Sequence, residues 1–241
     1  MGQAKRRMMS GEMDLWFHGT NEFFSSWLLP APLSAGNTGL LSHSFISLSR
    51  DRALAVGAGD IAGGLCSATL TKNARVLDLR KKSPDSMQHW EMVRETEFGQ
   101  KHPLVSDYNS WEKGCQSGEI LIFRTEDQQY EDKLLKAEKI VKSTSGYTLQ
   151  ERQKAFLDVQ NFPREWIESV IAPGKQLGYD AVICSEIDRT RASGRKTCTN
   201  LYVFSTNVIS APSWIQKPDM LAYEMAIKEL RRSDLFSTSP N

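Results

Sequence analysis

The alternation of apolar and polar positions divides the chain into three regions. In the first, apolar residues alternate with hydroxyl or polar residues in short runs, which predict strands at residues 15–18, 44–49, 65–71 and 75–79. Ser49 is in position to cap a short helix that ends in a glycine-rich segment. This region therefore predicts half of a β-sheet with one short helix.

Residues 83–177 have a helical pattern. Helix starts are predicted at Ser83, at Thr148, where the sequence has the capping-box form, and at Pro163 as a first-turn proline. Another helix is predicted by apolar residues that share one face: Leu134, Leu135, Ala137, Ile140 and Val141. One strand is predicted at residues 119–123. We therefore interpret residues 83–177 as a mostly helical insertion.

The last region returns to strands, at residues 181–184 and 201–204, and ends in a predicted helix at residues 221–232. A chain of 241 residues with 40% hydrophobic residues is long enough to bury one substantial core. The sequence thus predicts one α+β domain over residues 1–241, with the helical insertion inside it.

Charge and cysteine content narrow the functional classes. Lys and Arg total 30 against 29 for Asp and Glu, so the net charge of +1 favours neither nucleic acid nor a membrane surface as a general partner. The four cysteines are widely spaced and form no CxxC pair. We therefore expect no structural metal and no disulfide framework, and a soluble protein of the reducing cytoplasm.

Two motifs near the N-terminus carry the first indication of function. Residues 17–20 read Phe-His-Gly-Thr at the end of one predicted strand, and residues 45–49 read Phe-Ile-Ser-Leu-Ser in the next. In this order they resemble the NAD-binding half of an ADP-ribosyltransferase. Residues 74–79, 178–183 and 200–204 resemble later core strands of that family. The resemblance implies split antiparallel β-sheets around an NAD cleft.

The resemblance implies a role for each residue of the first motif. His18 would bond a ribose hydroxyl of NAD, the backbone of Gly19 would approach the nicotinamide carboxamide, and Thr20 would add a further hydrogen bond. A glycine is physically reasonable there because a residue without Cβ lets a ligand approach the backbone closely. NAD is thus the expected co-substrate.

The second motif has two interpretations within the family. In one branch an aromatic ring stacks on the cationic nicotinamide, and Phe45 would take this role, with an attraction on the order of 1 to 2 kcal/mol. In the toxin-like branch a Ser-Thr-Ser strand braces the pocket, which would be Ser47 and Ser49 with Leu48 in place of the threonine. Both interpretations stay open.

The family usually provides a catalytic glutamate that steadies positive charge on the ribose. Alignment of the last core strand places Asn200 at that position, where an amide can bond a hydroxyl but carries no charge. Glu119 is the leading substitute, because the sequence around it resembles the acidic loop of the toxin-like branch, and Glu186 is a third candidate. We predict Glu119 and Asn200 as the catalytic residues.

A basic segment indicates which class of molecule receives the ADP-ribose, that is, the acceptor. Four positive charges lie within residues 189–197, a segment that in this fold faces the acceptor, and they favour nucleic acid such as RNA slightly over protein. The resemblance implies mono-ADP-ribosylation of a macromolecule by a bacterial or phage-related toxin, effector or phage-defence protein, with an antitoxin or chaperone as a possible partner. The alternative is a catalytically inactive binding module with the same fold.

Overall fold

The structure is a computed structural model. It describes residues 15–30, 39–58, 63–122, 128–143, 146–188 and 196–219, together with Leu221. The strands are β1 (Trp16–Thr20), β2 (Ile46–Ser49), β3 (Gly64–Ala68), β4 (Val76–Asp78), β5 (Ala181–Asp188), β6 (Lys196–Val203) and β7 (Ser213–Gln216). The helices are α1 (Arg52–Ala58), α2 (Pro84–Arg94), α3 (Glu97–Lys101), α4 (Tyr108–Ser117), α5 (Gln128–Lys142), α6 (Leu149–Ile171) and α7 (Pro173–Gln176).

The strands form one mixed sheet in the order β4-β5-β6-β2-β1-β3-β7, in which β4 and β5 are parallel and the other pairs antiparallel. The family resemblance predicts two separate sheets. In the structure the strands form one sheet because β1 and β2 are joined at a single ladder position. Among the described residues, Phe17 opposite Ser49 is the one ladder pair between β1 and β2. By contrast, β2 and β6 pair at four positions, from Ile46 with Val203 to Ser49 with Asn200. Two groups of strands therefore meet at one narrow junction.

Each face of the sheet covers its own hydrophobic core, because successive side chains of a strand point to opposite sides. One core lies against the helices, and its centre includes Trp111, Trp166 and Tyr202. The other core lies on the opposite face and includes Leu48 and Leu201. The sheet is thus the middle layer of the described fold.

The predicted N-terminal strands and the short helix are confirmed, but the predicted cap is wrong. The carboxylate of Asp51 accepts hydrogen bonds from the backbone N–H groups of Ala53 and Leu54, at 2.9 and 3.0 Å, and so caps α1. Ser49 lies two residues earlier, and its hydroxyl accepts a hydrogen bond from the N–H of Asp51 at 3.0 Å. Ser49 therefore supports the capping residue.

The predicted helical region is also present, but it differs from the prediction at Pro163. A proline inside a helix costs about 3 kcal/mol because it removes a backbone donor. Even so, α6 continues through Pro163 without a break. Its buried residues Ala155, Val159, Phe162, Trp166 and Val170 follow the helical spacing on both sides of the proline. The continuous apolar face offsets the cost, so the prediction of a separate helix starting at Pro163 is wrong.

The strand predicted at residues 119–123 is a 3-10 turn, Glu119–Leu121, within the described residues. Gly118 ends α4 in the left-handed conformation, with φ of 86°. Ile120 and Leu121 are both buried, whereas a half-buried strand would alternate. The helix predicted at residues 221–232 lies outside the described residues, except for Leu221.

Candidate functional site

A cavity of about 250 Å³ lies where β1 and β2 diverge beyond their ladder pair. At this point a side chain joins the two strands, because Nδ1 of His18 bonds the carbonyl oxygen of Ser47 at 2.8 Å. The polar and aromatic part of the cavity wall includes His18, Thr20, Glu22, His43, Phe45 and Ser47. The structure therefore brings residues of both sequence motifs to one cavity.

The ring of His18 has a defined protonation pattern. A carbonyl oxygen only accepts hydrogen bonds, so Nδ1 carries the proton and Nε2 of the neutral ring is an acceptor. Burial lowers the pKa of His18 below its ordinary value, and the hydrogen bond to Ser47 offsets this only in part. Phe24 and Trp27 pack edge-on against the ring, with centroids 5.9 and 5.4 Å away. His18 is thus a neutral ring, held in one orientation, whose Nε2 is available as a hydrogen-bond acceptor.

Gly19 and Thr20 complete β1. Gly19 lies opposite Leu65 of β3 and contributes backbone alone. Thr20 lines the cavity, and its hydroxyl accepts a hydrogen bond from the N–H of Glu22 at 3.1 Å. This contact closes a turn that carries Glu22 to the cavity wall.

Phe45 reaches the cavity wall but is 2% exposed. The ring of His43 stacks on one face of Phe45, with centroids 4.8 Å apart and an interplanar angle of 21°. The ring of Tyr202 packs edge-on against Phe45 at 5.2 Å. Neighbouring rings therefore cover most of Phe45, which leaves little of its surface for a ligand to stack on.

Glu168 of α6 holds the segment that leads into β2. Its Oε1 accepts hydrogen bonds from the N–H of Ser44 at 2.7 Å and from Nδ1 of His43 at 2.9 Å, and its Oε2 accepts one from the Ser44 hydroxyl at 2.9 Å. Burial raises the pKa of Glu168, but the hydrogen bonds from His43 and Ser44 outweigh this and lower it below its ordinary value. Sequence reasoning missed this contact because 125 residues separate its partners.

The two serines of β2 lie on the same face of the strand and differ in burial. Ser47 is exposed and lines the cavity, whereas Ser49 is buried and is opposite Asn200 of β6. Leu48 lies between them and points into the core on the other face, where it is 1% exposed. The position at which the toxin-like motif has threonine is therefore a packing position in this chain.

A polar cluster lies on the next two strands, on the face that carries Ser49. Asn200 donates from Nδ2 to Oε2 of Glu186, and the phenol of Tyr202 donates to the same oxygen at 3.5 Å. Burial, and then the nearby Glu186, raise the pKa of Tyr202 well above its ordinary value, so the phenol keeps its proton. Among the described residues, Oδ1 of Asn200 is buried and has no hydrogen-bond partner. The cluster thus contains the Glu186 carboxylate and one buried acceptor atom, Oδ1 of Asn200, to which no described group donates.

Glu119 is near this cluster, and like Glu186 and Asn200 it is not part of the cavity wall. It begins the 3-10 turn after Gly118, which packs so closely on the backbone of Glu186 that a Cβ on Gly118 would lie 2.7 Å from a Glu186 carbonyl carbon. The Thr197 hydroxyl holds the same turn by donating to the carbonyl of Ser117 at 3.0 Å. Of the three candidates for the glutamate role, the structure joins Glu186 and Asn200 directly and places the Glu119 turn against Glu186.

Most of the basic segment, residues 189–195, lies outside the described residues. Lys196 begins β6 and forms an ion pair with Asp51. In the part of the chain that the structure describes, no three His, Cys, Asp or Glu side chains group as metal ligands would. No described helix is both long and apolar enough to cross a membrane.

Comparison of the chain with protein-family models, with curated proteins and with solved structures finds no match in any of the three. Function is therefore inferred from the cavity between β1 and β2 and from the polar cluster beside it. Four of the residues predicted to bind NAD meet at that cavity: His18, Thr20, Phe45 and Ser47.

Proposed function

We propose that this chain is an NAD-dependent mono-ADP-ribosyltransferase, which releases nicotinamide from NAD and transfers the remaining ADP-ribose to a macromolecule. The observation that carries the proposal is the cavity at the junction of β1 and β2, where His18, Thr20, Phe45 and Ser47 meet. The family resemblance assigns these four residues to NAD binding. Their convergence at one cavity supports that assignment.

The size of the cavity fits one end of the dinucleotide. Pockets for drug-sized ligands have volumes of roughly 300 to 1,000 Å³, and this cavity has about 250 Å³. We infer that the nicotinamide and its ribose enter, while the adenine half stays outside. His18 then accepts a hydrogen bond from a ribose hydroxyl through Nε2, and Thr20 and Ser47 provide hydroxyl groups on the wall.

Glu186 takes the role of the family's glutamate in this proposal. Cleavage of the glycosidic bond leaves positive charge on the ribose, and a nearby carboxylate stabilises that charge. Asn200 and Tyr202 hold Glu186 by hydrogen bonds. Tyr202 also packs on Phe45 and lies opposite Ser47, so the polar cluster adjoins the cavity wall. Asn200 acts as a positioning residue for Glu186.

The acceptor is a macromolecule, and nucleic acid is slightly favoured over protein. The basis is the run of positive charges in residues 189–197, which attracts phosphate groups. Replacing Arg189, Arg191 and Arg195 with glutamate tests this part of the proposal. The variant should retain nicotinamide release into buffer but lose labelling of the acceptor, and unchanged labelling would contradict the assignment.

The main test follows label from adenine-labelled NAD into a bacterial lysate, with the products divided into protease-sensitive and nuclease-sensitive fractions. We expect His18→Asn to reduce labelling about 100-fold, which corresponds to about 2.7 kcal/mol of transition-state stabilisation. Asparagine can still donate to the Ser47 carbonyl but has no counterpart of Nε2. Because it also lacks the ring that packs on Phe24 and Trp27, labelling is compared at a temperature at which circular dichroism shows both proteins to be folded. Wild-type levels of labelling by His18→Asn would refute the site assignment.

A second candidate function is an inactive relative that binds NAD or another nucleotide without turnover. The observation that favours it is Asn200, an amide where the family has its glutamate. Calorimetry with NAD, together with an assay for nicotinamide release, separates the two functions. Binding without release by the wild-type protein would support the binding module and overturn the transferase.

A further inference from the structure

His43 and Glu168 form a histidine–carboxylate pair on the wall of the cavity. Nδ1 of His43 is 2.9 Å from Oε1 of Glu168. The two side chains are each 19% exposed, so neither is fully open to solvent. His43 is itself part of the cavity wall, and Phe45 supports the plane of its ring. The sequence motifs do not assign a role to either residue.

The hydrogen bond fixes which nitrogen of His43 carries the proton. A carboxylate accepts, so Nδ1 donates and Nε2 of the neutral ring is a base. A carboxylate in this position also stabilises the imidazolium that forms when Nε2 takes a proton. Two further hydrogen bonds from Ser44 hold Glu168 in place. The pair therefore has the arrangement of an oriented general base.

Stabilising the fold is the competing explanation of this contact. The two hydrogen bonds from Ser44 already tie α6 to the segment before β2, without any contribution from His43. His43 adds an imidazole ring on the cavity wall that is hydrogen-bonded to the same carboxylate. An anchor between α6 and β2 does not require that ring, whereas proton transfer does.

We propose that His43 is the general base of the transfer reaction and that Glu168 is its positioning residue. This inference rests on the proposed function. Nε2 of His43 takes the proton of an attacking hydroxyl group, whose oxygen forms a bond to the ribose carbon. The bond from that carbon to the nicotinamide nitrogen breaks, and its electron pair leaves with neutral nicotinamide. The proton on His43 then passes to water.

The proposal also narrows the acceptor chemistry. An acceptor carboxylate or phosphate is already deprotonated near neutral pH and requires no base. A hydroxyl group must lose its proton, and a base positioned by a carboxylate meets that requirement. The acceptor atom therefore carries a proton that the base removes, and we assign it to the oxygen of a hydroxyl group, such as a ribose hydroxyl or the hydroxyl of Ser or Thr. Water and methanol are small probes of the same chemistry.

The test compares the full-length wild-type chain with His43→Ala, Glu168→Gln and Glu165→Gln. Nicotinamide release from NAD is measured in buffer with and without methanol, and calorimetry gives the Kd for NAD. Glu165 is exposed on the same helix, so its substitution is the matched control for the loss of charge at Glu168. In Glu168→Gln, the amide oxygen still accepts the hydrogen bond from Ser44. The variant therefore removes the negative charge of Glu168 while keeping the contact that ties α6 to the segment before β2.

We expect His43→Ala to lower kcat about 100-fold with a nearly unchanged Kd for NAD, in the range usual for a general base. Added imidazole should restore part of the rate, and methyl ADP-ribose should form in methanol. Glu168→Gln should lower kcat about tenfold at an unchanged melting temperature, and Glu165→Gln should match the wild type. Wild-type kcat in His43→Ala, or a change confined to the Kd for NAD, would overturn the proposal.

The result also separates this proposal from the proposed function. If wild-type protein releases nicotinamide in buffer or in lysate and His43→Ala does so equally well, the transferase assignment stands and the general base is wrong. If wild-type protein releases none in either medium, both are overturned. If the rate of His43→Ala is low but imidazole leaves it unchanged, the role of His43 as a base is overturned.

Discussion

His89 provides a pH-dependent test of the packing that supports the site. The side chain is fully buried, and its Nε2 donates to the carbonyl of Val170 at 2.7 Å. This carbonyl belongs to the last turn of α6, where backbone acceptors lack partners within the helix. Burial lowers the pKa of His89 from 6.5 to about 4. Val170 lies two residues after Glu168, so the same contact supports the helix that positions His43.

The sign and the size of the effect follow from this shift. Below pH 6.5 the unfolded chain binds a proton at His89 that the folded chain excludes, so the free energy of unfolding falls as the pH decreases toward 4. The shift is about 2.5 pH units, and at 1.36 kcal/mol per unit the full loss is about 3 kcal/mol. At pH 5 the loss amounts to about 2 kcal/mol.

The assay is urea unfolding of the wild type and of His89→Gln at pH 7.5 and pH 5. Glutamine can donate to the Val170 carbonyl through its amide nitrogen but does not titrate. The wild type should therefore lose about 2 kcal/mol more than the variant between the two pH values. Other titrating groups, including Glu168, are common to both proteins and cancel in the difference. Equal losses would refute the reasoning that His89 is kept neutral by burial.

Three further predictions concern the Glu119 turn and its neighbours. Gly118→Ala should cost about 2 kcal/mol or more in thermal unfolding, because φ of 86° is unfavourable for alanine and its Cβ would meet the backbone of Glu186; an unchanged melting temperature would contradict this. Glu186→Gln should reduce nicotinamide release about 100-fold, whereas Glu119→Gln should stay within about threefold; the reverse order would identify Glu119 as the catalytic carboxylate. Trp166→Phe should cost about 2 kcal/mol in urea unfolding, because the Ile120 carbonyl loses its donor at 2.8 Å; a change below about 0.5 kcal/mol would argue against that bond.

Local patterns predicted the elements better than the contacts between them. The alternating run at residues 44–49 and the capping box at Thr148 depend on neighbours in sequence, and β2 and α6 are present there. The same local reasoning failed at residues 119–123. Ile120 is buried between α4 and α6, and the segment forms a 3-10 turn instead of a strand with alternating burial.

The candidate site was partly predictable for the same reason. His18 and Ser47 belong to short motifs, and the structure joins them by a hydrogen bond. The contact of His43 with Glu168 gave no local signal, because Glu168 is one acidic residue among several on a long helix. The contact of Glu186 with Asn200 depends on the register of β5 with β6, which the sequence alone does not determine.

The position of β2 in the sheet has a consequence for biosynthesis. β2 ends at residue 49, yet its four-residue ladder is with β6, which begins at residue 196. At about 5 to 20 residues per second, the ribosome needs roughly 7 to 30 s to synthesise the chain between them. During that interval the β2 edge lacks this partner, and the polar cluster of Glu186 and Asn200 has yet to be made. A nascent chain therefore acquires the complete candidate site only after β6 has been synthesised.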